Sequence, residues 1–153
     1  MKYLNYQVVF KEVPDEVTLS INITNCPYRC PGCHSPYLQE DVGEELTFEA
    51  LSYLIEKHKG ITCVCFMGGD RDIHKLLTFA YFIKIKYGFI KTAWYSGMDT
   101  MPERLIKYVK GVLNYVKIGS YKKDKGGLES METNQQFFKI EDSKLIEIKL
   151  WKL

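Results

Sequence analysis

The spacing of apolar side chains predicts strands that are separated by helices. Residues 17–23 (VTLSINI) are apolar at every second position, which is the pattern of a half-buried strand, and residues 5–12 predict a short edge strand. Residues 61–67 (ITCVCFM) are almost continuously apolar, as expected for a buried parallel strand. Two further strands are predicted at 89–95 and 114–118.

Helical patterns occupy the segments between these strands. Thr47 is a suitable N-cap for a first helix, and Gly60 is a suitable stop. A second helix is predicted over 71–86, and Pro102 suits the first turn of a third, over about 102–110. Strands that are joined by helices pair in parallel through right-handed crossovers, so the pattern predicts an α/β fold.

The C-terminal part of the chain has a different pattern. Residues 119–136 contain glycines and charges but few apolar anchors, which predicts a long loop of the kind that is usually functional. Residues 137–151 alternate again and predict a hairpin or one last strand. Because a closed eight-stranded barrel needs roughly 200 residues or more, we expect a partial, open βα barrel of parallel strands in a single domain over residues 1–153.

Composition narrows the class of protein. The chain is 46% apolar and 26% charged, which is ordinary for a globular protein. Its net charge of +2 is too small to favour a nucleic acid or an anionic membrane as a partner. The N-terminal segment lacks the apolar stretch of a signal peptide, and no segment has the length and hydropathy of a membrane span. We therefore expect a cytoplasmic protein with reduced thiols.

Three of the five cysteines lie within eight residues. Cys26, Cys30 and Cys33 have the spacing C-x3-C-x2-C, with two prolines and a glycine between them. This composition excludes a regular helix or a central strand, so the cysteines occupy a loop directly after the strand at 17–23. Three thiolates on one loop can bind three irons of a four-iron cluster, and the fourth iron then stays open to a substrate.

Four other interpretations of the same residues remain. Cys30 to His34 matches the c-type haem attachment pattern, which generally accompanies export. Cys30 and Cys33 match a C-x-x-C redox motif, which leaves Cys26 unexplained. A zinc site of three cysteines and His34 would strain one tetrahedron, because Cys33 and His34 are adjacent. The remaining alternative is three reduced thiols without a ligand.

The other two cysteines have a simpler interpretation. Cys63 and Cys65 lie two positions apart in a predicted buried strand, so they point to the same face of the sheet. Free cysteine is a normal small core residue. We predict that both pack in the core.

Several loops that follow predicted strands are expected to lie along one rim of the sheet, where the active sites of α/β folds gather. They are the cysteine loop, Gly68-Gly69-Asp70, Ser96-Gly97 and Gly119.

The cysteine motif followed by Gly68-Gly69-Asp70 resembles the radical S-adenosylmethionine (SAM) enzymes. Within them, the chain resembles the activating protein of anaerobic ribonucleoside-triphosphate reductase. Residues 26–36 (CPYRCPGCHSP) are similar to its cysteine loop, and residues 126–135 (GGLESMETNQ) are similar to its C-terminal signature. The chain departs from many members at 12–16, where they are glycine-rich, and at Gln136, where they carry Arg.

The resemblance implies a radical-SAM type of fold, two cofactors and a protein partner. Cys26, Cys30 and Cys33 would bind a [4Fe–4S] cluster, and the methionine part of SAM would chelate the fourth iron. One electron, from a donor such as a flavodoxin or ferredoxin, would cleave the sulfonium and leave a 5′-deoxyadenosyl radical. That radical would abstract a Cα hydrogen from a glycine of the large anaerobic reductase subunit, a glycyl-radical protein.

The same resemblance implies contacts for SAM and for the partner. Gly68 and Gly69 would let the backbone approach SAM, and Asp70 would accept hydrogen bonds from the methionine ammonium. The other SAM-binding candidates are Gly32, Cys33 and His34 near the adenine, Lys117 near the methionine carboxylate, and Tyr95, Ser96 and Gly97 at the rim. Asn134 and Gln135 are candidates for contact with the partner. Taken alone, Gly-Gly-Asp also fits a plain strand–helix turn, and Lys117 also fits a solvated surface lysine.

Three alternative functions stay open. The chain could activate another glycyl-radical enzyme, act on a small molecule by radical chemistry, or be a zinc-binding interaction module. The short chain leaves no room for a second substrate domain, which argues against a large pocket for a small molecule.

Overall fold

One eight-stranded sheet runs through the chain in the computed structural model, which describes residues 1–153. The strands are β1 (Lys2–Val9), β2 (Thr18–Ile23), β3 (Glu44–Glu45), β4 (Cys63–Met67), β5 (Lys91–Tyr95), β6 (Tyr115–Ile118), β7 (Gln136–Glu141) and β8 (Lys144–Ile148). The helices are α1 (Phe48–Lys57), α2 (Ile73–Lys86) and α3 (Glu103–Val112). No helix has the length and apolar character that crossing a bilayer requires.

The strand order is β3-β1-β2-β4-β5-β6-β7-β8. The four central strands, β2, β4, β5 and β6, are parallel, which confirms the predicted α/β arrangement. The outer strands pair antiparallel, so the expectation of an all-parallel sheet is wrong. The physical reason is that β1–β2 and β7–β8 are consecutive strands without a crossover helix, which brings the chain back in the opposite direction. The sheet does not close.

Local signals set most element boundaries. The predicted cap of α1 is confirmed, because the Thr47 side chain accepts a hydrogen bond from the Ala50 N–H at 3.0 Å. A 3-10 turn at Asp70–Asp72 precedes α2, and the Asp72 side chain accepts from the Lys75 N–H at 3.0 Å. Such caps satisfy amides that the first helical turn leaves free.

The C-terminal hairpin is also confirmed. β7 and β8 pair through a two-residue turn in which Asp142 and Ser143 have φ of 48° and 58°. Left-handed backbone at both positions matches the right-handed twist of the two strands. The hairpin continues the sheet beyond β6.

Two separate clusters of buried residues pack against the sheet. The helices and the sheet enclose a core cluster of 24 buried residues. A second cluster of six lies among Val13, Cys63, Cys65, Ala93, Tyr115 and Phe137. Cys63 and Cys65 are both 0% exposed, so the prediction that they pack in the core is confirmed.

The segment between β1 and β2 is fixed against the sheet by a buried carboxylate. Glu16 accepts hydrogen bonds from Lys91, from Thr62 Oγ1 at 2.6 Å and from the Tyr115 hydroxyl at 2.9 Å. Burial alone would raise the pKa of Glu16, but these hydrogen bonds outweigh it and the pKa is lowered. The predicted strand at 5–12 is therefore wrong at its C-terminal end, because the chain turns there to bury Val13 and Glu16.

Candidate functional site

The carboxyl ends of β2, β4, β5 and β6 meet at one edge of the sheet, where a cavity of about 250 Å³ opens. Nine sequence-predicted residues line it: Cys26, Cys33, His34, Gly68, Asp70, Tyr95, Ser96, Gly97 and Lys117. The lining does not include the other predicted residues, Cys30, Gly32, Gly69, Asn134 and Gln135. The expected convergence of the loops after β2, β4, β5 and β6 at one rim is confirmed.

Backbone hydrogen bonds hold the cysteine loop in place. The Cys26 N–H donates to the Leu38 carbonyl at 3.1 Å, and the Cys33 N–H donates to the Cys30 carbonyl at 3.1 Å. Gly32 has a φ of +70°, a conformation that favours glycine. The motif therefore forms a tight turn anchored to the segment that follows it.

The three motif cysteines are free and half-buried. The Cys33 sulfur accepts the Ser35 N–H at 3.4 Å. Burial raises the pKa of the Cys26 thiol, against a hydrogen bond from the Tyr28 backbone that lowers it. Because burial disfavours the thiolate, a metal or another positive group would have to stabilise Cys26 in its ligating form.

The donor chemistry decides which metal group suits these thiols. In this structure no three His, Cys, Asp or Glu side chains come together as a ready metal site. Three thiols on one loop, two of them facing the cavity, are the donor set of a [4Fe–4S] cluster with one open iron. His34, which a zinc site would need as its fourth ligand, instead hydrogen-bonds to the Tyr121 hydroxyl through Nε2 at 2.7 Å. The residues present therefore fit the cluster better than zinc.

The Gly68-Gly69-Asp70 turn carries the chain from β4 toward α2. Gly68 and Gly69 have φ of +95° and +98°. A Cβ on Gly69 would lie 2.5 Å from Leu76 Cδ1, so this position needs glycine for the turn and for packing on α2. The Trp94 indole donates to the Gly68 carbonyl at 3.0 Å and fixes the peptide at the cavity wall.

Ser96 connects two charged side chains, the half-buried Asp70 and the buried Lys117. Its hydroxyl donates to Asp70 Oδ1 and accepts the Met98 N–H at 3.0 Å. Its carbonyl accepts from Lys117 Nζ at 3.2 Å, and the same ammonium donates to the Gly119 carbonyl at 2.8 Å. Lys117 is only 8% exposed, so the interpretation of it as a solvated surface lysine is wrong.

The pKa values of these two groups shift toward the neutral forms. Burial raises the pKa of Asp70, although hydrogen bonds from Ser96 and Gly97 oppose it. Burial lowers the pKa of Lys117 to about 8, although the Asp70 charge opposes it. Desolvation thus outweighs the attraction between the two groups. A ligand that carries both an ammonium and a carboxylate would give Asp70 and Lys117 each an oppositely charged partner.

Tyr95 and Gly97 contribute to the walls in ways that the sequence does not reveal. The Tyr95 ring lines the cavity, but its hydroxyl donates to the Glu12 carbonyl and is not free for a ligand. A Cβ on Gly97 would lie 2.6 Å from Tyr28 Cδ2, so this glycine makes room for a ring of the cysteine loop. Burial, helped by the Asp70 charge, raises the pKa of Tyr28 to about 12.

Tyr121 is a site residue that the sequence analysis missed. It follows Gly119 in the long loop, lines the cavity and contacts His34, with ring centroids 4.4 Å apart in addition to the hydrogen bond. Nearby, Lys123 packs its stem on Gly32, where a Cβ would lie 3.1 Å from Lys123 Cδ. The predicted long loop therefore folds back on the cysteine loop. The sequence offers only an aromatic residue after a glycine as a signal.

Asn134 and Gln135 contact the start of this loop, at Ser120 and Gly119. The Asn134 amide donates to the Ser120 carbonyl at 3.0 Å, while its buried Oδ1 has no hydrogen-bond partner. Gln135 packs its backbone on Gly119, where a Cβ would lie 2.8 Å from Gln135 Cα. Contact of these residues with another protein stays a prediction.

Tyr121→Phe removes the hydrogen bond to His34 but keeps the ring contact. Because one exposed hydrogen bond contributes about 1 kcal/mol, we expect the amides of residues 26–36 to exchange with deuterium roughly fivefold faster. Hydrogen exchange with mass spectrometry measures this. Tyr37→Phe is the matched control, since the exposed Tyr37 directly follows this segment. Equal exchange rates in wild type and Tyr121→Phe would contradict the role of this hydrogen bond in holding the cysteine loop in place.

Comparison with known proteins yields one match. The sequence model of the Radical SAM superfamily matches residues 21–120, a range that holds the cysteine loop, the Gly-Gly-Asp turn and Lys117. No curated protein and no solved structure matches significantly.

Proposed function

The chain belongs to the Radical SAM superfamily, and we propose that it is the enzyme that installs a glycyl radical on anaerobic ribonucleoside-triphosphate reductase. Membership implies SAM-dependent radical chemistry, and the family generally uses a [4Fe–4S] cluster with SAM. When bound, these cofactors supply one-electron cleavage of SAM and a carbon radical that abstracts hydrogen. The protein binds, orients and shields the reacting groups.

The observation that carries the proposal is the pair of oppositely charged side chains at the cysteine cavity, the half-buried Asp70 and the buried Lys117. Asp70 and Lys117 lie in the same wall, and both contact Ser96. The methionine part of SAM is a zwitterion, so its ammonium would pair with Asp70 and its carboxylate with Lys117. Cys26, Cys30 and Cys33 would hold the cluster next to that zwitterion.

Side-chain packing on the sheet and the small size of the cavity support a macromolecular substrate. The face opposite the helices is packed with side chains such as Val13 and Phe137. The cavity itself, about 250 Å³, is smaller than the roughly 300–1,000 Å³ of typical ligand pockets. Once SAM occupied it, little room would remain for a second small molecule. A glycine presented by another protein would reach the rim from outside.

The C-terminal signature supports the choice of reductase among glycyl-radical proteins. In this segment, residues 126–135, Asn134 donates to the carbonyl of Ser120, which precedes the cavity-lining Tyr121. We propose that this segment contacts the glycine loop of the large reductase subunit. A flavodoxin or ferredoxin would supply the electron.

Anaerobic reconstitution tests the proposed function. We expect brown protein with about four irons per chain, which forms 5′-deoxyadenosine from SAM once reduced. Mixed with the large anaerobic reductase subunit of the same organism, it should yield a glycyl radical in the electron paramagnetic resonance spectrum. Colourless protein with one tightly bound zinc would refute the proposal. Cleavage of SAM without a radical on the reductase would point to another substrate.

A further inference from the structure

An apolar groove lies between α2 and α3, outside the candidate site. Its volume is about 690 Å³, and it is lined mainly by apolar and aromatic side chains: Ile73, Leu77, Tyr81, Leu105, Tyr108 and Val112. Tyr81 and Tyr108 are 54% and 68% exposed. Partly exposed tyrosines over an apolar floor are typical of the residues that dominate binding at protein interfaces.

The groove follows from an excess of apolar residues on α2. The helix buries Leu76, Phe79, Ala80 and Ile83 against the sheet, and it still carries apolar residues on its outer side. Ile73 and Leu77 are partly buried against the edge of the core and also line the groove. Apolar side chains that a surface helix leaves partly exposed are typical of an interaction site.

The two helices are strongly basic. They carry six Lys or Arg residues and one acidic residue, whereas the whole chain has 21 basic and 19 acidic residues. Lys75 and Lys86 of α2 are paired with Glu45 and Glu56. Arg104, which lines the groove, and the exposed Lys107, one turn further along α3, make no ion pair with an acidic side chain. An acidic partner would be attracted to this face, and a second copy of this chain would bring like charges together.

One end of the groove adjoins the candidate site. Ile73 directly follows the Asp70–Asp72 turn, and the Met98 N–H donates to the Ser96 hydroxyl at 3.0 Å. Both Ile73 and Met98 line the groove. A protein that occupies the groove is therefore placed beside the rim where the cavity opens.

We propose that this groove docks an amphipathic helix with acidic flanks, which belongs to the protein substrate of the radical reaction. α2 has 14 residues and is roughly 20 Å long, enough to hold about four turns of a docked helix. The inference rests on the proposed function, because it assigns the groove to the glycyl-radical protein. The groove holds that protein while its glycine reaches the cavity.

Variants on the groove test this role. Tyr108→Ala removes an exposed ring, and its control is Tyr53→Ala, an aromatic side chain with 62% exposure on α1. The double variant Arg104→Glu with Lys107→Glu reverses two charges, and its control is Lys59→Glu. Reconstituted protein is titrated with the large anaerobic reductase subunit, and the dissociation constant, the glycyl radical and 5′-deoxyadenosine formed without the reductase are measured.

We expect the groove variants to lose affinity for the reductase but to keep SAM cleavage. Tyr108→Ala should weaken reductase binding by about 10-fold or more, and the charge reversal should do the same while flattening the dependence of affinity on salt. Both groove variants should form 5′-deoxyadenosine at the wild-type rate without the reductase, which also shows that they fold. The control variants should bind like wild type.

Three outcomes overturn the proposal. Wild-type affinity and radical yield in both groove variants would refute the groove while leaving the proposed function intact. Self-association of the wild type that Tyr108→Ala abolishes would assign the groove to a second copy of this chain. If the wild type cleaves no SAM or makes no glycyl radical, the proposed function fails, and the assignment of the groove to that substrate fails with it.

Discussion

Replacing Cys26, Cys30 or Cys33 by alanine will abolish iron binding and SAM cleavage, whereas Cys63→Ala will preserve both. Each motif thiol is free and lies on the loop after β2, and no cluster of three His, Cys, Asp or Glu side chains offers a replacement site. Losing a direct ligand should cost more than the roughly 10–100-fold effect of replacing an outer-shell partner. We expect SAM cleavage to fall by more than about 100-fold.

The buried cysteines provide the matched control for this experiment. Cys63 and Cys65 are fully buried on the sheet face, and burial raises the pKa of both thiols. The Cys65 thiol donates to Sδ of the cavity-lining Met67 at 3.5 Å, whereas Cys63 does not line the cavity, so Cys63→Ala is the control. Iron analysis and the electron paramagnetic resonance spectrum of the reduced protein measure cluster binding. A motif variant that retained about four irons would contradict the ligand assignment.

Local sequence patterns predicted the elements that place the site. The alternation at 17–23 and the apolar run at 61–67 indicate two neighbouring parallel strands, and the Thr47 cap set the start of α1. Because parallel strands end at the same edge, the loops that follow them can be placed together from the pattern of the chain alone.

Contacts between residues that are far apart in the sequence determine where β1 ends and which residues meet at the site, and local patterns do not predict them. Residues 10–12 continue an alternating pattern, yet the chain leaves β1 after Val9 and exposes 71% of Phe10. The turn is favoured by long-range partners, since Glu16 pairs with Lys91. Tyr121 and His34 are likewise 87 positions apart, so no local pattern reveals their contact.

Lys117→Met will remove most of the affinity for SAM. The change keeps an unbranched side chain but takes away the buried ammonium, which leaves the Ser96 and Gly119 carbonyls without their donor and would leave the SAM carboxylate without its cation. Removing one member of a buried charged pair costs roughly 2–5 kcal/mol of binding, so we expect SAM to bind at least about 30-fold more weakly. Equilibrium dialysis on the oxidised, reconstituted protein measures this, with Lys59→Met as the control.

The same variant isolates the effect of pH on folding. Burial lowers the pKa of Lys117 to about 8 from 10.5, so between these values the unfolded chain holds a proton that the folded protein has released. The free energy of unfolding of the wild type should therefore gain, through this group, up to about 3 kcal/mol as pH rises from 8 to 10.5. Lys117→Met lacks this gain, so the stability of the wild type relative to the variant should rise with pH. Urea titrations at pH 7, 8, 9 and 10 measure the free energies of unfolding of both proteins. A difference between them that does not change with pH would show that Lys117 titrates like a solvated lysine. It would then not be the buried cation that the SAM carboxylate is proposed to pair with.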